Sequence, residues 1–182
     1  SGVVTHRGAD LTALLDQAWK NIEAPRTVIV SSVAAGAARE ALGRWLKHHG
    51  VPTAHFIQAP VQQLGVTNRY REPAQLGPDR WAALVAARAL TTAPVSVVDC
   101  GTAVTVDALS ANGEFLGGAI FPGLELLRGS LAHGTAALGD APGDASITQA
   151  RRTADAIAAG TLFGLAGAIE RLLDEHRAQL GA

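Results

Sequence analysis

Residues 99–107 read DCGTAVTVD and follow the apolar, β-branched run of residues 95–98. Such a run predicts a buried strand. The strand leads into the carboxylate of Asp99 and the Gly101-Thr102 pair, and an alternation of Val and Thr then follows. A carboxylate at a strand end can hold a cation, and the backbone N–H groups of a Gly-Thr turn can bind a phosphate. An ordinary turn with Thr on the solvent face explains the same residues, so the motif needs support from other segments.

The rest of the chain alternates between helix and strand patterns, which predicts an α/β fold with a sheet flanked by helices. The spacing predicts helices at residues 9–22, 37–49, 81–90 and 123–131 and a long final helix capped by Thr153. Strands are predicted at residues 27–33, 53–57 and 115–121, in addition to the stretch that carries Asp99. The Thr-Thr-Ala-Pro segment at 91–94 predicts a boundary between two halves, residues 1–93 and 94–182. Residues 137–148 are rich in Gly, Asp and Pro and predict a mobile loop.

Composition narrows the class of protein. The 182 residues are 48% hydrophobic and carry a formal net charge of -1, so nothing indicates a nucleic-acid partner. The single cysteine excludes an internal disulfide and a thiolate-rich metal site, which favours the reducing cytoplasm. We find no apolar run approaching the roughly 20 residues that a membrane-spanning helix needs. The sequence therefore predicts a cytoplasmic protein with no membrane partner.

A second candidate site lies where a loop becomes a helix, at residues 77–80, which read GPDR. Asp79 is expected at or near the first helical turn, where a carboxylate caps the helix or interacts favourably with its dipole. That interpretation leaves Arg80 and the preceding Asn68 and Tyr70 unexplained. A carboxylate next to a guanidinium can also accept a proton from a hydroxyl while the Arg holds an anionic group of a substrate.

Two sets of glycines have more than one explanation. Residues 117–123, GGAIFPG, place glycines in a predicted strand, where they indicate either close backbone packing or a nucleotide lying against the strand. Gly160, Gly164 and Gly167 interrupt the final helix, although each costs about 1 kcal/mol relative to Ala. We favour packing for both sets.

Together these segments resemble the type III pantothenate kinases, a family that includes the Bvg accessory factors. The matching stretches, in order, are SSV (31–33), NRYREPAQLGPDRW (68–81), DCGTAVTVD (99–107), GGAIFPG (117–123) and TADAIAAG (153–160). The resemblance covers most of the chain from about residue 27. It implies two ribonuclease-H-like halves of the actin and sugar-kinase superfamily, each a mixed sheet flanked by helices, with a nucleotide cleft between the halves.

The resemblance also implies an activity: transfer of the γ-phosphoryl group of ATP to pantothenate, the first step of coenzyme A synthesis. Asp79 matches the catalytic base and a substrate contact. The other positions that match pantothenate contacts are Tyr70, Gly77, Pro78, Arg80 and Thr153. Those that match the nucleotide and cation site are Gly101, Thr102 and Ala103 for ATP and Asp99 for a monovalent cation, K⁺ or NH₄⁺. Mg²⁺ accompanies the ATP, and members of the family are homodimers.

The chain departs from the family pattern at both ends. Residues 1–26 contain no strand leading into an Asp-x-Gly-Asn-Thr phosphate loop, and the expected strand after the final helix is absent. We therefore expect a sequence truncated at both ends and no kinase activity from these residues alone. Two alternatives stay open: another kinase or an ATPase of the superfamily, and a nucleotide-binding regulatory or scaffold protein.

Overall fold

The computed structural model describes residues 10–23, 25–32, 36–51, 54–134 and 142–181. They form a mixed α/β fold with sheets flanked by helices, as the sequence predicts. The helices are α1 (Leu11–Trp19), α2 (Ala37–His48), α3 (Pro78–Leu90), α4 (Leu124–Gly134) and α5 (Thr153–Leu180), with a 3-10 turn at Pro73–Gln75. The strands are β1 (Val28–Val30), β2 (Ala54–Phe56), β3 (Gln62–Gln63), β4 (Val66–Asn68), β5 (Val95–Cys100), β6 (Ala103–Leu109) and β7 (Glu114–Pro122).

The described residues divide into two compact units, the first of which comprises those up to Ala59 together with Ala74–Ala82. In this unit β1 and β2 form a parallel pair. Its core is built on Trp45, Leu46 and Val51, all less than a tenth exposed, with apolar residues of α1 and β1 packed around them. Asp16 of α1 accepts a hydrogen bond from the Trp45 indole at 2.6 Å, so a polar contact also joins the two helices.

Several predicted boundaries in the first unit shift. α1 begins at its predicted cap, where Asp10 accepts a hydrogen bond from the N–H of Thr12 at 2.9 Å. It ends at Trp19 rather than residue 22, and Ile22 is 58% exposed, so no apolar packing extends the helix. Of the predicted strands 27–33 and 53–57, only Val28–Val30 and Ala54–Phe56 form, while Val33 and Thr53 lie outside the described residues.

The second unit comprises Pro60–Pro73 and the residues from Ala83 onward, and it contains a five-stranded mixed sheet in the order β3-β4-β7-β6-β5. β4 lies parallel to β7, while the other neighbouring pairs are antiparallel. The Asn112-Gly113 turn joins β6 to β7 as expected, with Gly113 at a φ of 78°. The buried side chains of this sheet include Val66, Val104, Val106, Leu109 and Phe115.

The segments around both candidate motifs differ from prediction in detail. Residues 99–107 form an antiparallel hairpin that turns at Gly101 and Thr102, with Asp99 inside β5 and opposite Thr105. The predicted loop before α3 contains β4, which pairs with a strand more than forty residues away. α3 begins at Pro78, three residues before the predicted start, because proline fits the first helical position, which needs no N–H.

Helix α5 packs against one face of this sheet. Ser96 of β5 and His176 of α5 are hydrogen-bonded, Oγ to Nδ1, at 3.0 Å, and His176 is buried. Ala108 lies opposite Ser96, and directly opposed residues of antiparallel strands share a face, so the small and apolar side chains of β6 at this register face α5. α5 therefore covers the second unit's core.

Contrary to the prediction from the sequence, length and composition alone make α5 able to cross a membrane. Its most apolar stretch has a mean hydropathy of 1.4, and 17% of that stretch is buried. The core helix of a soluble protein meets the same criterion when most of it is buried, whereas most of this stretch is exposed and the buried contact of His176 with the sheet lies nearer the end of α5. The helix by itself is weak evidence for a membrane protein.

The prediction of close packing at residues 117–123 is confirmed at Gly118. A Cβ atom there would lie 2.0 Å from Oδ1 of Asp107 and 2.4 Å from the carbonyl oxygen of Val106. Asp107 is 1% exposed and lies opposite Gly118 in the β6–β7 register. Glycine at 118 therefore makes room for a buried carboxylate on the neighbouring strand.

We expect Gly118→Ala to lower the free energy of unfolding by about 1–3 kcal/mol, because the added methyl group overpacks the strand pair. Gly167→Ala is the matched control, since a Cβ atom at Gly167 of α5 meets no described atom within 4 Å. The control should stabilise the protein by about 0.5–1 kcal/mol through helix propensity. Urea unfolding followed by circular dichroism measures both, and equal effects of the two substitutions would contradict the packing role of Gly118.

Candidate functional site

The turn between β5 and β6 carries the predicted nucleotide and cation residues. Asp99 near the end of β5 and Gly101, Thr102 and Ala103 are all exposed. The N–H of Gly101 donates to the carbonyl oxygen of Ala103 at 3.1 Å, which closes the turn. The four predicted residues therefore lie together on an accessible hairpin tip.

Gly123 brings the start of α4 onto this turn. Its N–H donates to the carbonyl oxygen of Thr102 at 2.9 Å. A Cβ atom at Gly123 would lie 2.1 Å from the carbonyl oxygen of Gly101, so only glycine permits the approach. The DCGT and GGAIFPG motifs, separate in sequence, thus meet through backbone contact. A glycine-containing turn beside a helix N-terminus presents N–H groups of the kind that bind phosphate.

The GPDR segment lies in the first unit, at the start of α3. Asp79 is in the first turn and exposed, and its Oδ1 accepts a hydrogen bond from the N–H of Arg80 at 2.8 Å. Arg80 is 5% exposed. The N–H of Trp81 donates to the carbonyl oxygen of Gly77 at 3.0 Å, so Gly77 is the residue from which the helix starts. The local structure thus presents the carboxylate at the surface and keeps the neighbouring guanidinium side chain buried.

Tyr70 follows β4 in the second unit. Its ring packs on Phe115 of β7, with ring centroids 5.3 Å apart and the planes at 33°. Phe115 is fully buried. Tyr70 therefore rests on the start of β7, whereas the Gly101-Thr102 turn meets Gly123 just beyond its end.

Thr153 is the first residue of α5 and is exposed, which corrects its predicted role as the cap. The N-cap is Arg152, and its side chain makes no capping hydrogen bond. Thr153 lines a pocket of about 630 Å³ that no sequence pattern predicts. The pocket is bounded by the end of β7 and by α4 and α5, and its lining includes Phe121, Pro122, Leu131, Ile157, Gly160 and Gly164.

Among the described residues, the helix glycines have open space beside them. A Cβ atom at Gly160, Gly164 or Gly167 would meet no described atom within 4 Å. Gly160 and Gly164 line the pocket instead, so the small residues of α5 leave space beside the helix. Within the described residues of this chain nothing packs closely on these three glycines, so the packing explanation stays a prediction for this set.

A hydrogen bond joins the segment before α5 to the first turn of that helix. Asp155, which is buried, accepts a hydrogen bond from the N–H of Asp144 at 3.0 Å. The hydroxyl and the N–H of Ser146 both donate to the Asp144 carboxylate, and these hydrogen bonds lower the pKa of Asp144. A lowered pKa stabilises the fold above the unfolded-state pKa, and this contribution is lost as the pH falls through the folded-state pKa. Residues 137–141 of the predicted mobile loop lie outside the described residues.

Protein side chains alone do not form a metal centre in the described part of the chain. It contains no group of three or more His, Cys, Asp or Glu residues that could hold an ion. Asp99 offers a single carboxylate, so a cation bound there must take its other oxygen ligands from backbone, water or a phosphate-bearing ligand.

Comparison with known proteins identifies the family to which this chain belongs. A family model for the type III pantothenate kinases matches residues 2–175. The chain belongs to the type III pantothenate kinase family. This confirms the resemblance drawn from the four principal motifs, and the mixed α/β fold is consistent with the family.

Individual relatives named type III pantothenate kinase are closely similar. Those of Dechloromonas aromatica and Halorhodospira halophila are 43% and 45% identical over 172 and 166 residues. The relative from Aromatoleum aromaticum is 47% identical over 148 residues. These alignments cover 94%, 91% and 81% of this chain but 70%, 65% and 60% of the respective relatives. The chain therefore spans about two thirds of the length of these pantothenate kinases.

We expect Gly123→Ala to loosen the Gly101-Thr102 turn, because a methyl group cannot occupy a position 2.1 Å from a carbonyl oxygen. Amide hydrogen exchange should become about tenfold faster at positions 101 and 123, whose N–H groups are hydrogen-bonded in this turn. Gly129→Ala within α4, the helix that follows Gly123, is the control, because a Cβ atom there meets no described atom within 4 Å. Unchanged exchange in the Gly123 variant would show that the turn does not depend on this contact.

Proposed function

We propose that this protein transfers the γ-phosphoryl group of ATP to the terminal hydroxyl of pantothenate. The observation that carries the proposal is the family match over residues 2–175, which spans both the exposed Asp79 and the Asp99–Ala103 turn. In this reaction a bond forms between the hydroxyl oxygen and the γ-phosphorus. The bond from that phosphorus to the β,γ-bridging oxygen breaks, and ADP leaves.

On the acceptor side, Asp79 takes the proton of the pantothenate hydroxyl. Its exposure at the start of α3 supports this role, and Oδ1 is already oriented by the N–H of Arg80. By its match to the family, we assign Arg80 to the anionic end of pantothenate, since guanidinium groups pair well with carboxylates, although this residue is only 5% exposed in this structure. Gly77, Pro78, Tyr70 and Thr153 supply further contacts. Phosphoryl transfer requires mainly positioning and charge stabilisation, so one weak base is sufficient.

On the nucleotide side, Gly101, Thr102 and Ala103 contact ATP, and Asp99 binds a monovalent cation, K⁺ or NH₄⁺. The exposed tip and its contact with Gly123 support this assignment. Mg²⁺ supplies neutralisation of phosphate charge when bound, and it commonly takes its ligands from phosphates, water and one or two carboxylates. Mg²⁺ would therefore be held mainly by the phosphates of ATP and by water, which leaves Asp99 for the monovalent cation.

We also propose a domain organisation, an oligomeric state and a cellular location for this protein. We place the boundary between two ribonuclease-H-like halves near residue 93, in a homodimeric, cytoplasmic enzyme. Exposed apolar side chains on α5, Leu162 and Phe163, support a protein partner for this helix.

The activity is tested by ADP release from the full-length protein with ATP, Mg²⁺ and K⁺, in the presence and absence of pantothenate. We expect ADP only when pantothenate is present. ADP formed without pantothenate would instead indicate an ATPase or another kinase of the superfamily. No nucleotide binding at all would indicate a scaffold or regulatory protein.

Replacing the base tests the mechanism. We expect Asp79→Asn to lower kcat by about 100-fold or more, because general-base catalysis typically contributes that much. The KM for pantothenate should change little, since the amide oxygen can still accept the hydrogen bond from Arg80 N–H. Glu40→Gln is the control, because Glu40 is an exposed carboxylate in the first turn of α2. Near-normal turnover of the Asp79 variant would show that another group is the base.

A further inference from the structure

We propose that Asn68 is a positioning residue that fixes Tyr70 for contact with the substrate. The inference rests on the proposed function, because it takes Tyr70 as a pantothenate contact. Asn68 is the last residue of β4 and is 4% exposed. In the sequence, Asn68 lies near the candidate site residues, but no pattern assigns it a role.

The Asn68 side chain bridges two points of the loop that follows it. Its Oδ1 accepts a hydrogen bond from the N–H of Tyr70 at 3.0 Å. Its Nδ2 donates to the carbonyl oxygen of Pro73 at 3.1 Å. The amide of Asn68 therefore fixes the distance between Tyr70 and Pro73. Both its oxygen and its nitrogen are hydrogen-bonded.

Asn68 is itself held by the sheet. Its N–H donates to the carbonyl oxygen of Val61 at 2.8 Å, and it lies opposite Phe115 in the parallel β4–β7 pair. The Tyr70 ring packs on this same Phe115. Tyr70 is thus fixed at its backbone by Asn68 and at its ring by the residue opposite Asn68. Both contacts therefore position the loop relative to β7, the longest strand of the sheet.

The neighbouring ion pair is a weaker candidate for this role. Arg69 forms a salt bridge with Glu114, but the Arg69 side chain is 57% exposed. Exposed ion pairs contribute little to stability and are screened by salt, whereas loss of a buried hydrogen-bond partner is costly. Arg69→Gln is therefore a matched control one residue away.

The test measures kinetics of the full-length protein with pantothenate and ATP varied separately. We expect Asn68→Ala to raise the KM for pantothenate about tenfold and to leave the KM for ATP within about twofold, by loss of Tyr70 positioning. Arg69→Gln should change neither. An unchanged KM for pantothenate in Asn68→Ala, or an equal rise in both KM values, would overturn the proposal.

A double-variant cycle distinguishes action through Tyr70 from a general structural role. If Asn68 acts through Tyr70, Asn68→Ala should have no further effect on the pantothenate KM in a Tyr70→Ala background. An effect of the same size in both backgrounds would overturn the proposal. Asn68→Asp keeps the acceptor for Tyr70 N–H and loses the donor to Pro73, so we expect an intermediate KM. Should Asn68→Ala not fold, a wild-type KM for Asn68→Asp would overturn the proposal.

A spectroscopic readout separates this inference from the proposed function. Tyr70 is the single tyrosine of these 182 residues, so 3-fluorotyrosine labelling gives a ¹⁹F signal that Tyr70→Phe assigns. We expect Asn68→Ala to shift or broaden that signal and Arg69→Gln to leave it unchanged, whether or not pantothenate is phosphorylated. An unchanged signal would overturn the positioning role. Absence of pantothenate-dependent activity in the wild type, with the expected ¹⁹F shift, would count against the proposed function alone.

Discussion

The contact between Gly123 and the Gly101-Thr102 turn is the constraint on which the second unit's candidate site depends. It joins the end of β7 and the start of α4 to the tip of the β5–β6 hairpin by backbone atoms alone. Pro122, the preceding residue, pairs with Ala103 in the sheet and lines the pocket beside Thr153. The exposed turn at residues 99–103 and the pocket are therefore organised around the same strand-to-helix junction.

Much of the fold could be predicted because its elements carry strong periodic signals. The helices and the Asn112-Gly113 turn appear near their predicted positions. The hairpin at residues 99–107 could not be resolved, because its strands are joined by only two turn residues. β4 was missed because its three residues lie in a polar stretch and are stabilised by β7, whose position no local pattern reveals.

The candidate site, like the fold, could be predicted only in part from the sequence. Asp79 was expected near a helix start, and the structure places it there, although the catalytic role remains a proposal. Sequence spacing could not show that Gly118 makes room for buried Asp107, or that Gly160 and Gly164 leave an open pocket. These facts depend on which atoms lie across from each glycine. The Asn68–Tyr70 hydrogen bond spans only two residues, so an Asn two positions before a Tyr was the one local signal.

The central claim is that pantothenate accepts the phosphoryl group that ATP loses. Its most direct test is to incubate the full-length protein with pantothenate and ATP labelled with ³²P at the γ position, and then to separate the products. We expect the label to appear in a phosphate ester of pantothenate. Label found only in inorganic phosphate, or retained in ATP under conditions where the protein binds nucleotide, would contradict the claim.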